Sequence, residues 1–173
     1  MARCPAGLSV NSEHNLIVAC CVANKLQEYT THGSFVREIC MQAVRVTPPY
    51  HAIQLSTGDY VVSQCKSQGE VSVVGVDGQL VRSYGQPQTS DVGKMVHPTS
   101  LAVTKNDDIL VADELNNRIL LINSSVGSIQ ELALSVDDGI RFPTGLCLDE
   151  LRGRLYVGEW NGERVLVFDD AHL

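Results

Sequence analysis

The chain has 173 residues, 44% of them hydrophobic and 19% charged, with a mean hydropathy of +0.02. This is the composition of one globular domain and excludes a disordered tail or a collagenous rod. Thirteen Lys and Arg against twenty Asp and Glu leave a net charge of −7, which repels a phosphate backbone and disfavours nucleic acid as a partner.

The elements recur in chain order. The first series is GLSV at Gly7, LIVA at Leu16, KLQEY at Lys25 and FVREI at Phe35. The second is AIQL at Ala52, YVVS at Tyr60, EVSVV at Glu70 and LVRSY at Leu80. The third is SLAV at Ser100, ILVA at Ile109, RILLI at Arg118 and SIQEL at Ser128. The fourth has GLCL at Gly145, LYVG at Leu155 and RVLVF at Arg164, with only Asp169 to Leu173 after Phe168. Leu8, Ile53, Leu101 and Leu146 mark the first runs at spacings of 45, 48 and 45 residues, a fourfold internal repeat. Turn chemistry separates first from second runs at Asn11–Asn15, Ser56–Asp59, Lys105–Asp108 and Glu150–Arg154, and Gly33, Gly78 and Gly127 precede the fourth runs.

Period-two alternation without a sustained helical period selects an all-β fold. Four short antiparallel strands in a unit of about 45 residues make a β-propeller blade. The expectation is one domain over 1–173 with repeats at about 5–46, 49–94, 97–139 and 142–173, the last blade lacking its outer strand. First strands, with small neighbours Gly7, Ala52, Ala102 and Gly145, are placed nearest the axis, and Arg37, Glu38, Arg82 and Gln130 mark a solvated rim. Four blades lead to the expectation of an arc of a larger ring, a partial gene product, or a subunit that self-associates through its open terminal blades, which would expose apolar faces; a closed four-blade ring ranks below these.

Leu16 to Ala23 is too short to span a bilayer and serves better as a strand than as the core of a signal peptide. Cysteines 4, 20, 21, 40, 65 and 147 form no CxxC pair and fall mostly in β-like runs, so reduced thiols and a reducing, cytoplasmic compartment are expected. The sequon at Asn123-Ser124-Ser125 then has no glycosylation context.

The repeats resemble NHL repeats, with a proline, an alternating first strand, "V-A-D", and "N-N-R-I" before the third strand. The third repeat carries Pro98, Val111-Ala112-Asp113 and Asn116-Asn117-Arg118-Ile119. The fourth carries Pro143, Val157-Gly158-Glu159 and Asn161-Gly162-Glu163-Arg164-Val165, the first Pro5, Val18-Ala19 and Asn24-Lys25-Leu26, and the second diverges most. The resemblance implies a propeller such as the terminal recognition domain of tripartite-motif proteins, hence a non-catalytic protein-binding module and the substrate-recognition part of a ubiquitin ligase. No zinc spacing for a RING or B-box and no heptad segment accompanies it here. Two alternatives implied by the same family are RNA binding and a zinc-dependent peptidyl-amidoglycolate lyase.

The loops between second and third strands gather on one propeller face. Rigid blades hold their polar side chains there, so a protein or peptide is expected to bind at Gln64, Lys66, Asp113, Glu114, Asn116, Asn117, Arg118, Glu159, Trp160, Asn161 and Arg164. Trp160, the sole tryptophan, is the aromatic anchor of that set or a residue packed on the next blade. Asp113 beside Arg118 has a structural use as well, accepting backbone N–H groups or pairing within the blade. Lys25, Lys66, Arg118 and Arg164 make a local basic group, but Glu114, Glu159 and Glu163 interleave with it, which ranks RNA below protein. His51 and His97, near the starts of first strands, are the residues a zinc lyase would use; a third ligand is not identifiable, and no metal or other cofactor is expected. No hydrolase, nucleotide or phosphoryl-transfer motif is present.

Overall fold

In the computed structural model the described residues are 5–41, 48–64, 69–85, 93–134, 139–160 and 164–169. They form four antiparallel sheets, the blades of a β-propeller. Blade 1 is β1 (Pro5–Val10), β2 (Leu16–Cys20), β3 (Lys25–Tyr29) and β4 (Phe35–Cys40). Blade 2 is β5 (Pro49–Gln54), β6 (Tyr60–Gln64), β7 (Glu70–Val74) and β8 (Leu80–Tyr84). Blade 3 is β9 (Pro98–Val103), β10 (Ile109–Asp113), β11 (Arg118–Ile122) and β12 (Ile129–Glu131), and blade 4 is β13 (Pro143–Asp149), β14 (Arg154–Glu159) and β15 (Val165–Phe168). The expected architecture holds, and among the described residues the last blade has three strands. Among the described residues no helix is long and apolar enough to cross a membrane.

Local chemistry explains the hairpins. Each turn from first to second strand turns on one left-handed residue, His14, Gly58, Asp107 or Gly153. All four close by an N–H bond three residues back, to Asn11, Leu55, Thr104 and Glu150, the arrangement of a type I turn followed by a left-handed residue. His14 is therefore a turn residue. The predicted Gly33, Gly78 and Gly127 all take positive φ in the turns before the fourth strands, where a Cβ would be strained.

Successive blades meet through three apolar clusters. Ile17, Ala19, Leu26 and Ile39 of blade 1 pack with Ala52, Tyr60, Val62 and Val74 of blade 2. Val61, Val71 and Val73 meet Leu101, Ile109, Val111 and Leu120, and Leu110, Ala112 and Ile119 meet Leu155, Val157 and Phe168. Each Val, Leu, Ile or Phe among them stabilises the fold by about 1.5–3 kcal/mol when fully buried. The strand register corrects one alignment. Leu8, Ala52, Leu101 and Leu146 pair with Val18, Val62, Val111 and Val157, so Ala52 and not Ile53 matches Leu8. A slip of one residue puts a side chain on the opposite face, and Ile53 packs toward blade 3.

Polar groups also tie the blades together. Glu28 is fully buried, accepting from Asn11 (3.0 Å), Asn15 (2.8 Å) and Arg37 Nε (2.5 Å), while Arg37 Nη2 donates to the Tyr60 hydroxyl of blade 2 (2.8 Å). His51 spans three blades. The Leu101 N–H donates to its Nδ1 (3.2 Å), so the ring proton sits on Nε2, which donates to the Leu8 carbonyl (3.3 Å). Its neighbours on β1, β6 and β9 include Gly7, Leu8, Ser63 and Leu101, none of them titratable.

Acid is expected to weaken the fold in two steps. Burial holds the His51 pKa below 6.5, so the unfolded chain takes up a proton that the folded chain resists. His51 therefore contributes its full stability above about pH 6.5, and that contribution falls as pH drops toward the folded pKa. For Glu28, burial pushes the carboxyl up, but hydrogen bonds from Asn15, Arg37 and Asn11 and the Arg37 charge outweigh it and hold the pKa below 4.5. Its contribution is lost as pH falls further, through that depressed value. Urea unfolding from pH 8 to pH 3 checks both: His51→Gln is expected to flatten the limb between about pH 7 and 5 and to leave the more acidic limb in place.

Candidate functional site

The loops from second to third strands lie on one face, and buried latches of two kinds build them. Asp113, the last residue of β10, is fully buried. Its Oδ1 accepts the N–H groups of Val96 (3.0 Å) and His97 (3.2 Å), and its Oδ2 accepts Asn116 Nδ2 (2.7 Å) and Arg118 Nε (3.1 Å). Arg118 Nη2 then reaches the Lys94 carbonyl (3.0 Å). One carboxylate thus pins the segment that leads into β9. Blade 4 repeats the device: Glu159 accepts Arg141 N–H (2.6 Å) and Arg164 Nε (2.6 Å), and Arg164 Nη2 donates to the Gly139 carbonyl (2.8 Å). Burial pushes the Glu159 carboxyl up, yet the bonds from Arg164 and the Arg141 N–H prevail and lower its pKa.

Blades 1 and 2 carry neutral residues at the same position. Gln64 is buried and donates to Ser72 Oγ (2.7 Å). Cys20 is buried, its thiol pKa pushed up by burial, which keeps it protonated and unreactive. Among the described residues Cys20, Cys40 and Cys147 are in the thiol form; Cys4 and Cys65 lie outside the described residues.

Of the predicted site, Gln64, Asp113, Arg118, Glu159 and Arg164 belong to this framework, and Lys66 and Asn161 lie outside the described residues. Glu114, Asn116 and Asn117 form the tip of the blade 3 loop, where Glu114–Asn116 makes a single 3-10 turn. Asn117 ends it at φ 54°, a left-handed conformation that Asn tolerates better than most side chains. That is the use of the second Asn of the "N-N-R-I" run.

The tips of blades 3 and 4 are joined. Asn117 Oδ1 accepts the Phe142 N–H (2.8 Å), and the Phe142 carbonyl accepts the Trp160 N–H (2.9 Å). Phe142 is held at φ 45°, strained for a bulky residue and a conformation found where surroundings over-determine the backbone, often at functional sites. Trp160 beside it is 72% exposed, and Leu115 and Val22, at matching loops of blades 3 and 1, are 53% and 66% exposed. Sequence reasoning did not single out Leu115, Val22 or Phe142, because an apolar residue in an alternating sequence reads as core; the Asn that follows within two residues of Leu115 and Val22 is the signal that each sits in a turn. His97 Nδ1 lies 2.6 Å from Glu114 Oε2, with its ring 6.1 Å from that of Tyr50. The two histidines are thus placed differently, His51 between first strands and His97 at the loop face. Among the described residues no group of three His, Cys, Asp or Glu side chains is arranged to hold a metal ion.

No family model and no curated protein matches the sequence. Solved structures share the fold. A protein of unknown function from Bacteroides caccae is 20% identical with a TM-score of 0.77, the match covering 96% of this chain and 64% of that one. A chain from a nidogen–laminin complex is 12% identical with a TM-score of 0.71, covering 97% and 60%. A catalytically inactive H270A virginiamycin B lyase from Staphylococcus aureus with quinupristin is 15% identical with a TM-score of 0.65, covering 95% and 54%. The chain spans between about half and just under two thirds of the length of these structures.

Proposed function

We propose that this chain is a non-catalytic module that binds a protein or peptide on the loop face, through the apolar tips Leu115 and Trp160 together with the polar groups of Glu114, Asn116 and Asn117. The observation that carries the reading is the division of labour on that face. The buried carboxylates and their arginines hold the loops, while a large aromatic side chain stands in solvent on a strained, hydrogen-bonded support. A rigid aromatic anchor ringed by amides and carboxylates is the mixture found at the centres of protein interfaces. The finer reading, recognition of substrates for a tripartite-motif type of ubiquitin ligase, is supported by the repeat pattern alone.

RNA fits this face less well. Lys25 pairs with Glu38 (2.6 Å), Arg118 with Asp113 and Arg164 with Glu159, so these three cations of the basic group already have carboxylate partners. The lyase alternative rests on His51 and His97, which the fold keeps apart in role.

A phage-displayed random peptide library selected on the immobilised protein tests the proposal. Trp160→Ala is expected to weaken the selected peptides by about 2 kcal/mol, roughly 30-fold, with the urea midpoint unchanged. Peptides that bind the Trp160→Ala/Leu115→Ala double variant as tightly as the parent would place recognition elsewhere.

A further inference from the structure

The seams between successive blades use the same repeat positions but not the same residues. Between blades 1 and 2, Glu28 and Arg37 meet the hydroxyl of Tyr60, with Asn11 and Gln54 bonded to them. Register fixes the matching residues between blades 2 and 3. Glu28 pairs with Arg37 as Val73 pairs with Arg82, and Tyr60 opens β6 as Ile109 opens β10. Asn11 and Leu55 begin the same turn. Of the polar set only the arginine is kept. Val73 and Ile109 are shorter than the Glu and Tyr whose positions they hold, and a cleft of about 210 Å³ lies there.

The cleft has two charged ends. Arg82, on the fourth strand of blade 2, donates through Nη1 to the Ser124 carbonyl of blade 3 (2.8 Å) and to the Tyr84 hydroxyl (3.4 Å). Among the described residues no carboxylate pairs with it, and its Nε and Nη2 have no acceptor. Those two atoms form the edge of a guanidinium that can hold a carboxylate by two parallel bonds. In blade 1 the matching Arg37 has Glu28 (2.5 Å). At the other end, on the turns that lead into β6 and β10, stand Asp59 and Asp107. Both Asp107 oxygens accept from Ser56, whereas among the described residues the Asp59 carboxylate accepts only a 3.4 Å bond from Thr57 Oγ1. Leu55, Val73 and Ile109 line the space between the ends. From β6 to β8 is two strand spacings, roughly 10 Å.

We propose that this cleft binds a small zwitterion with an apolar body, its carboxylate on Arg82 and its ammonium at Asp59. A carboxylate on the Nε and Nη2 edge restores to Arg82 the pairing that Glu28 gives Arg37. An apolar or aromatic body takes the space that the Tyr60 ring takes in the neighbouring seam, and an ammonium at the far end meets carboxylates. A plain hydrocarbon would leave both charged ends unmet, and a phosphate ester would bring a dianion against two aspartates. The separation of the ends favours an amino acid whose two charges stand several carbons apart over one that carries both on a single carbon. The turns into the second strands lie on the face opposite the Trp160 loop, so the inference does not rest on the proposed recognition face.

An NMR titration of the amide signals of the full chain tests it, with para-(aminomethyl)benzoate and para-toluate as probes, two molecules alike in shape that differ in the ammonium. The first is expected to give saturable shifts at Val73, Arg82 and Ile109 with a Kd on the order of 0.1–1 mM, and the second to bind about fivefold more weakly. Arg82→Gln, at an exposed position, is expected to weaken both probes by about tenfold or more with an unchanged urea midpoint. Asp59→Asn is expected to abolish the preference for the ammonium and to leave para-toluate binding as it was. No saturation below about 10 mM, shifts confined to other residues, or an Arg82→Gln variant that binds as tightly as the parent would overturn the site. Equal affinity of the parent for the two probes, or a preference that survives Asp59→Asn, would overturn the zwitterion.

Discussion

Asp113→Ala is expected to lower the unfolding free energy by about 3–5 kcal/mol, the cost of breaking a buried ion pair by removing one partner. Asp113 has no access to solvent and satisfies four donors at once, two backbone N–H groups ahead of β9 and two side chains of its own loop. Without it the N–H groups of Val96 and His97 and the half-buried Arg118 guanidinium lose their common acceptor, and each must find water or move. Urea unfolding gives the number. Asp113→Asn, which keeps shape and one acceptor oxygen, is expected to lose less, because the amide still accepts on one side while its NH2 opposes a donor on the other. A loss below about 1 kcal/mol for Asp113→Ala would mean that the segment ahead of β9 is held by packing and not by this latch. The change also bears on recognition: the Glu114–Asn117 tip stands on Asp113, so Asp113→Asn is expected to weaken peptide capture even where the fold survives.

Gly7→Val should be the second severe substitution, and Gly145→Val should not be, although both change the same repeat position. At Gly7 the obstacle is the backbone of β5, which cannot rotate away, so blade 2 must shift and drag Ser9 Oγ from the Ala52 carbonyl (2.6 Å) and His51 from Leu8. The expected loss lies at the upper end of the about 1–3 kcal/mol that overpacking costs. At Gly145 the side chain enters open space, and the expected change is within about 0.5 kcal/mol. Equal losses at the two sites, measured by urea unfolding, would show that a side chain at Gly145 is as crowded as one at Gly7.

Much of the fold was legible because its causes are local. Strand alternation, the turn chemistry around Gly58 and Asp107, and the glycines before the fourth strands act over a few residues, and their recurrence gives the blade and the count. The alignment of Ile53 with Leu8 was off by one residue because the larger Ile53 reads as core beside the small Ala52, although Pro5, Pro49, Pro98 and Pro143 each stand three residues before Leu8, Ala52, Leu101 and Leu146.

The candidate site was legible only as a set of loops. Asp113, Arg118, Glu159 and Arg164 carry the charges expected of a binding face, but whether a carboxylate meets a partner or its own backbone depends on segments some 17 residues away, such as Val96 and His97. By itself the amino-acid sequence determined the all-β repeat, the blade length and the loops that share a face, because hydrogen bonding and side-chain alternation within a strand pair are set by nearest neighbours. Only the tertiary structure decided which polar residues are framework, that Leu115 and Trp160 stand in solvent, and that Leu8 is exposed where Leu101 is buried. Burial is conferred by the blade next door, and the same leucine in the same register is core or surface according to whether that neighbour is present.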